Sequence, residues 1–315
     1  MRYAHIFGPV HSRRLGRSLG VDLVPCKVCS YDCVYCECGC TSDATVERKE
    51  FFPVSEVLAE LRAYLSTSPE LDYITFSGCG EPTLSLSIGT VIRYLKESFP
   101  GYRVAVLTNG SLLSRKEVRE ALYPADVVLP TLSSVFEETW RRIHRPAPGI
   151  SLDEIISGIR QFHEEYTGEI WLELFIIPGV NTDDREMGSL CALLRGLQPD
   201  RVQLNTLDRP GTEDSVIPAP EEEIERIRNL LSRSGVTCVE PVRFHLSGGV
   251  PMPPDWSERV ERVHELIRRR PSTLDDLAES TGLPRREILK VLREIEKTAR
   301  VHEKREERGI FYSSL

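Results

Sequence analysis

Between residue 18 and about residue 240, six short apolar or β-branched runs alternate with longer stretches of helical period, an order few folds accommodate. The runs are 18–24, 71–78, 102–109, 125–132, 169–177 and 200–206. Helix signals lie between them: "PVSEVLAELRAYL", "SRKEVREAL", "SLDEIISGIRQFHEEY" with Ser151 and Glu154 set as a capping box, "NTDDREMGSLCALLRGL" and "PAPEEEIERIRNLLSRSG". Strands separated by helices of that length pair in parallel through right-handed crossovers. The expected core is therefore α/β, either a doubly wound sheet or a (β/α) barrel, complete or partial.

Glycine and proline cluster at 247–256, "SGGVPMPPDW", which reads as a linker. The expected organisation is a core over 1–246 and a small domain over 257–315. The latter runs helix, helix, turn, helix, hairpin, the order of a winged helix-turn-helix module. From Asp255 onward fourteen Lys and Arg face thirteen Asp and Glu, so net charge does not mark this part as a nucleic-acid binder. Its third helix nevertheless sets an apolar stripe (Ile288, Leu292, Ile295, Ala299) against a basic one (Arg286, Lys290, Arg293, Lys297, Arg300). Phosphate binding and a plain solvated face explain the basic stripe equally well.

Six of the nine cysteines fall between residues 26 and 40, "CKVCSYDCVYCECGC". The amino terminus has no secretory pattern, and no apolar stretch reaches the roughly 20 residues of a membrane helix. A cytoplasmic location follows as the expectation. There thiols stay reduced, and clustered cysteines point to metal. The formal charge of −8 argues against the whole chain being a nucleic-acid binder. Spacing alone leaves three readings: a tight structural zinc site, an irregular ferredoxin-like set, or Cys29, Cys33 and Cys36 as three thiolates of a [4Fe–4S] cube with one iron open.

"CSYDCVYC" follows the first strand, "FSGCGEPTL" ends the second and "TNG" ends the third, and together they resemble the radical SAM superfamily. "GPVHSRRLGRSLGVDLVP", "IHRPAPG", "IWLELFIIPGVN" and "VQLNTLDRPG" resemble the wybutosine-type tRNA-modifying group within it. The resemblance implies a partial (β/α)6 TIM-like barrel of the radical SAM type. It also implies reductive cleavage of S-adenosylmethionine to a 5′-deoxyadenosyl radical that abstracts hydrogen from substrate, with tRNA or other nucleic-acid modification as the most concrete suggestion. An external donor such as ferredoxin or flavodoxin would supply the electron.

On that resemblance Cys29, Cys33 and Cys36 hold the cluster. Tyr35, Gly78, Gly80, Glu81, Thr108, Asn109 and Ser133 contact the cofactor, with Glu81 orienting its amino group beside the carbonyls of Gly78 and Gly80. Glu173, Asn205 and Arg209 are the catalytic-side candidates. Alternation along "IWLELF" puts Trp171, Glu173 and Phe175 on one strand face, where a carboxylate is either paired or functional. His144 and Arg145 brace a loop or touch substrate, and so do Arg13 and Arg14. The surplus thiols Cys26, Cys38, Cys40 and Cys79 are either a second iron–sulfur centre or small reduced side chains, while Cys191 and Cys238 read as buried hydrophobes. The competing class of function is an iron–sulfur redox sensor that reads DNA through the C-terminal module.

Overall fold

The computed structural model describes residues 3–242 and 255–314. Strands β1 (Ile6–Ser12) and β2 (Gly16–Val21) form an antiparallel hairpin. The cysteine-rich segment follows, pinned by a two-residue parallel pair, β3 (Val28–Cys29) and β4 (Asp43–Ala44). Then come α1 (Val54–Leu65), β5 (Tyr73–Phe76), α2 (Ile88–Ser98), β6 (Arg103–Thr108), α3 (Lys116–Leu122), β7 (Val127–Pro130), α4 (Glu137–His144) and α5 (Leu152–Glu165). The core ends with β8 (Glu169–Phe175), α6 (Asp184–Leu197), β9 (Arg201–Asn205), α7 (Glu221–Arg233) and β10 (Val239–Pro241).

The main sheet has the order β1-β2-β5-β6-β7-β8-β9-β10, parallel from β2 onward. Tyr73 on β5 and Trp171 on β8 sit three strands apart, about 14 Å in a flat sheet, yet their rings meet at 6.3 Å. The sheet is therefore strongly curved. Its inner face carries Tyr73, Ala105, Val127, Leu129 and Trp171, which pack with Leu15 into one cluster. The outer face packs against the helices in the main core, where Leu172 and Leu174 lie. The alternation expected along 169–177 is thus present.

All six expected strands form, each shorter than its apolar run. In the core, six elements add to the expectation: β1, β3, β4, β10, α2 and α4. Ser151 does precede α5, but its side chain makes no capping bond. Leu152 N donates instead to Glu137 Oε2 at 3.3 Å, so a neighbouring helix's carboxylate takes the place of the expected box.

The C-terminal part has its own core of Val263, Ile267, Leu277, Ile288, Val291, Leu292, Ile295 and Tyr312. It comprises α8 (Trp256–Arg269), β11 (Ser272–Thr273), α9 (Leu274–Thr281), α10 (Arg285–Ile295), β12 (Val301–Glu306) and β13 (Gly309–Ser314), with a small antiparallel sheet β11-β13-β12. Thr273 and Asp276 close a capping box on α9, and Gly282 ends it in the left-handed conformation. Ile288, Leu292 and Ile295 of the expected apolar stripe are buried, and α10 stops before Lys297, Ala299 and Arg300. Most of the expected linker, 247–256, lies outside the described residues.

Candidate active site at the carboxyl ends of the strands

The cysteine loop is held from two sides. Segment 143–147 runs alongside it: Val34 N donates to Ile143 O at 2.9 Å, Asp32 N to His144 O at 3.1 Å and Ala147 N to Ser30 O at 2.9 Å. From the other side Lys27 N donates to Cys79 O and Glu81 N to Val28 O. The turn after β5 is thus pressed onto the loop. A side chain at Gly78, whose φ is +128°, would strike Asp22, and one at Gly80 would strike the carbonyl of Val28. This close approach is why the motif reads Gly-Cys-Gly.

Glu81 is buried at the centre of that turn. Its Oε1 accepts from Thr83 N (3.0 Å), Thr83 Oγ1 (2.6 Å) and Thr108 Oγ1 (2.7 Å), and its Oε2 from Asn109 N (2.7 Å). Burial raises its pKa although all four bonds pull the other way. Glu81, expected to orient a cofactor amino group, ties the β5 turn to the β6 turn in this structure, with three donors on Oε1 and one on Oε2. Thr108 likewise faces inward and also accepts from Gly110 N at 3.1 Å.

Asn109 carries the connection onward. Its Nδ2 donates to Ser30 Oγ at 2.8 Å and lies 3.6 Å from Cys29 Sγ, which also receives Tyr31 N at 3.5 Å. His144 Nδ1 stands 3.3 Å from Cys33 Sγ. The imidazole is fully buried, which lowers its pKa to about 3, and its Nε2 has no partner. Nitrogen donors aimed at sulfur suit thiolates bound to metal. Cys33 is pushed well up by burial and then by Cys29 and Cys36, and burial takes Cys29 up to about 12 with Glu81 adding to it. Cys29 and Cys33 therefore need a cationic centre to ionise, whereas the hydrogen bond with Cys38 brings Cys36 down to about 7. Among the described residues no three His, Cys, Asp or Glu side chains gather around a single ion. A four-iron cube, which holds its ligating sulfurs further apart, fits the donor set.

The surplus cysteines divide. Cys79 is held low by hydrogen bonds from Cys26 and Cys38, and Cys38 in turn neighbours Cys36. Cys40 is exposed and stands outside this row. Cys26, Cys38 and Cys79 thus lie together beside Cys36, with Cys40 exposed. Cys191 is buried as expected, whereas Cys238 is exposed with φ of +52°.

The two candidates Glu173 and Asn205 are brought together, with Asn205 Nδ2 donating to Glu173 Oε1 at 2.8 Å. Thr131 Oγ1 donates to Oε2 at 2.7 Å, and Arg14 Nη1 meets Oε1 at 2.5 Å. Burial raises the pKa of Glu173, but Arg14, Thr131 and Asn205 outweigh it and hold the carboxyl below the ordinary 4.5. Its contribution to stability is then present above pH 4.5 and lost as pH falls through the lowered value. In urea titrations of the apoprotein between pH 6 and 3, Glu173→Gln is expected to flatten the acid limb, and an unchanged limb would contradict the pairing.

Tyr35 stacks on Phe175 with centroids 3.6 Å apart. Ser133 is buried, and its Oγ has no hydrogen-bond partner among the described residues. Arg209, a catalytic-side candidate, clamps the C-terminal part: its Nη1 donates to Pro271 O (2.7 Å), Ser272 Oγ (3.3 Å) and Asp276 Oδ2 (2.7 Å). No spacing pattern singled out Thr131 or Ser30.

The model of the radical SAM superfamily matches residues 23–190, more than half of the chain, and the chain belongs to that superfamily. A UPF0026 protein of Methanocaldococcus jannaschii is 37% identical over 224 residues, 70% of this chain and 69% of that protein. A GTPase Obg of Brachyspira hyodysenteriae is 35% identical over 228 residues, 72% of this chain, which spans only 33% of that relative. A probable dual-specificity RNA methyltransferase RlmN of Treponema denticola is 24% identical over 215 residues, 66% of this chain and 59% of that protein. Among solved structures, a radical SAM methyltransferase from Sphaerobacter thermophilus shares the fold at 20% identity and a TM-score of 0.53, covering 71% of this chain and 66% of that one. The superfamily uses a [4Fe–4S] cluster and S-adenosylmethionine. Among the described residues no helix is long and apolar enough to cross a membrane.

Proposed function

We propose that this chain is a radical SAM enzyme that reductively cleaves S-adenosylmethionine and abstracts hydrogen from its substrate, with RNA as the substrate class. The observation that carries the first part is the set of nitrogens around Cys29 and Cys33, from Tyr31, Asn109 and His144, with Asn109 also bonded to Glu81 of the Gly78–Glu81 motif. Cys29, Cys33 and Cys36 hold the cluster, which when bound supplies the electron that an external ferredoxin or flavodoxin delivers. Tyr35, the backbone of Gly78 and Gly80, and Ser133 make the cofactor pocket, with Thr108 and Asn109 positioning it. Glu173 and Asn205 face the substrate. The reading as an iron–sulfur sensor has no support among the relatives, which are named as enzymes where an activity is named. The location is cytoplasmic.

The RNA part rests on the similarity to RNA methyltransferases and on the C-terminal part, which we assign as a winged-helix module over 257–315. On α10, Arg286, Lys290 and Arg293 are exposed and form no ion pair among the described residues. Neutralising all three to Gln is expected to weaken binding of bulk tRNA and to lower the salt slope by about 2 to 3. An unchanged slope would remove this face from the interface.

The enzyme reading is tested anaerobically. The chain is reconstituted with iron and sulfide, reduced, and mixed with S-adenosylmethionine in the presence and absence of bulk tRNA. About four irons per chain and release of 5′-deoxyadenosine are expected. A reducible cluster that never yields 5′-deoxyadenosine, with or without tRNA, would overturn it.

A further inference from the structure

Helix α8 closes one side of the curved sheet. Arg269 Nη1 pairs with Asp22 Oδ2 at 2.5 Å, its guanidinium lies 3.7 Å from the centre of the Phe7 ring, and Arg262 Nη2 donates to Pro9 O at 3.1 Å. Behind the helix is a cavity of about 260 Å³. Its walls come from β1, β2 and β5, from the cysteine loop through Glu37 and Cys38, and from α8 and the residue after it through Leu266, Arg269 and Arg270. The cavity reaches Gly78 and Cys79, so whatever fills it lies beside the site just described.

Three arginines line this space, and their partners differ. Arg14 is neutralised by Glu173 and Arg269 by Asp22. Arg270 makes no side-chain hydrogen bond or ion pair among the described residues. Arg209 and Arg13 act on it as neighbouring cations, with the Glu37 carboxylate opposing them. Burial, with Arg209 next, brings the pKa of Arg270 down to about 10 while Glu37 opposes, as expected of a cation short of a counter-charge. A desolvated guanidinium is a fork for an oxyanion. Ser77 adds to the same wall a hydroxyl with no hydrogen bond among the described residues.

We propose that this cavity is the substrate chamber and that Arg270, supplied by the C-terminal part, binds an oxyanion of the substrate, a phosphate or a carboxylate. The volume suits one small group, such as a single nucleotide or a phosphorylated metabolite, and does not suit a duplex. The assignment of substrate to this chamber rests on the radical SAM reading. The anion site is nevertheless testable on protein that forms no 5′-deoxyadenosine, so failure of one is distinguishable from failure of the other.

Calorimetric titration of the reconstituted protein with inorganic phosphate, acetate and S-adenosylmethionine tests it. Phosphate or acetate is expected to bind the parent, with the tighter of the two identifying the chemistry. Arg270→Gln is expected to lose at least tenfold in that affinity and to keep its affinity for S-adenosylmethionine. Arg270→Lys should lose less, and Arg268→Gln, on the exposed side of α8, should match the parent. Three results would each overturn the proposal: no anion binding by the parent, equal binding by parent and Arg270→Gln, or a parallel loss of S-adenosylmethionine affinity, which would make the anion the cofactor's own carboxylate. Arg270→Lys decides the matter if Arg270→Gln fails to fold.

Discussion

Cys33→Ala is expected to leave a folded chain that retains less than half of the parent's iron after reconstitution and forms no detectable 5′-deoxyadenosine. Cys33 lies in the loop braced by 143–147, and His144 Nδ1 approaches its sulfur at 3.3 Å. A bound thiolate has no proton to give, so in the loaded protein His144 must donate through Nδ1, leaving Nε2 as the bare nitrogen. His144→Phe, which keeps ring volume but removes that donor, is expected to retain iron and to shift the cluster potential to more negative values, because a hydrogen bond to sulfur stabilises the reduced, more electron-rich form. Cys40→Ala should match the parent in iron. So should Cys26→Ala and Cys79→Ala, on the assignment of the cluster to Cys29, Cys33 and Cys36 alone. Iron content falling as far in Cys26→Ala as in Cys33→Ala would contradict the assignment of the three ligands.

Much of this arrangement was legible because it is local. The six parallel strands follow from β-branched runs, the faces of β8 from two-residue alternation, and the packed stripe of α10 from its spacing. The strand β1 escaped because Gly8 and Pro9 interrupt it and read as a turn, although proline is tolerated on an edge strand, where β1 lies. The helix α2 did carry a signal, with Ile88, Val91, Ile92 and Leu95 all buried on one side, and it was passed over between two motif-bearing segments. What no periodicity encodes is which charge meets which. Arg209 looks like a polar group at a strand end until Asp276, 67 residues later, is folded against it. A carboxylate on the inner face of β8 has to be paired or functional, but the choice of Arg14, 159 residues from Glu173, belongs to the tertiary fold. Desolvation then decides the outcome, since a buried charge settles on whatever complement the topology brings.

Glu81 shows most directly how the two kinds of information differ, and its substitution is expected to have the largest effect on stability. Glu81→Ala strands Thr83 N, Asn109 N and the hydroxyls of Thr83 and Thr108 in a site with almost no water. At about 1 to 3 kcal/mol for each buried group left unsatisfied, and allowing the hydroxyls to rotate toward other partners, the cost is about 4 kcal/mol. That corresponds to a fall in Tm of about 10 °C. Glu81→Gln separates stability from chemistry. With its amide oxygen at Oε1 it keeps the three bonds from Thr83 and Thr108 and turns an NH₂ against Asn109 N. That one donor-to-donor contact costs about 2 kcal/mol. Because Asn109 also reaches Cys29 Sγ and Ser30, displacing its backbone moves a donor off the cluster loop. Glu81→Gln is therefore expected to keep its iron while 5′-deoxyadenosine formation drops at least tenfold and Tm falls by about 5 °C. A variant that loses activity with no change in Tm would show instead that the carboxylate touches the cofactor, as the motif alone suggested. Loss of both in step is the signature of a carboxylate that works by holding two turns together.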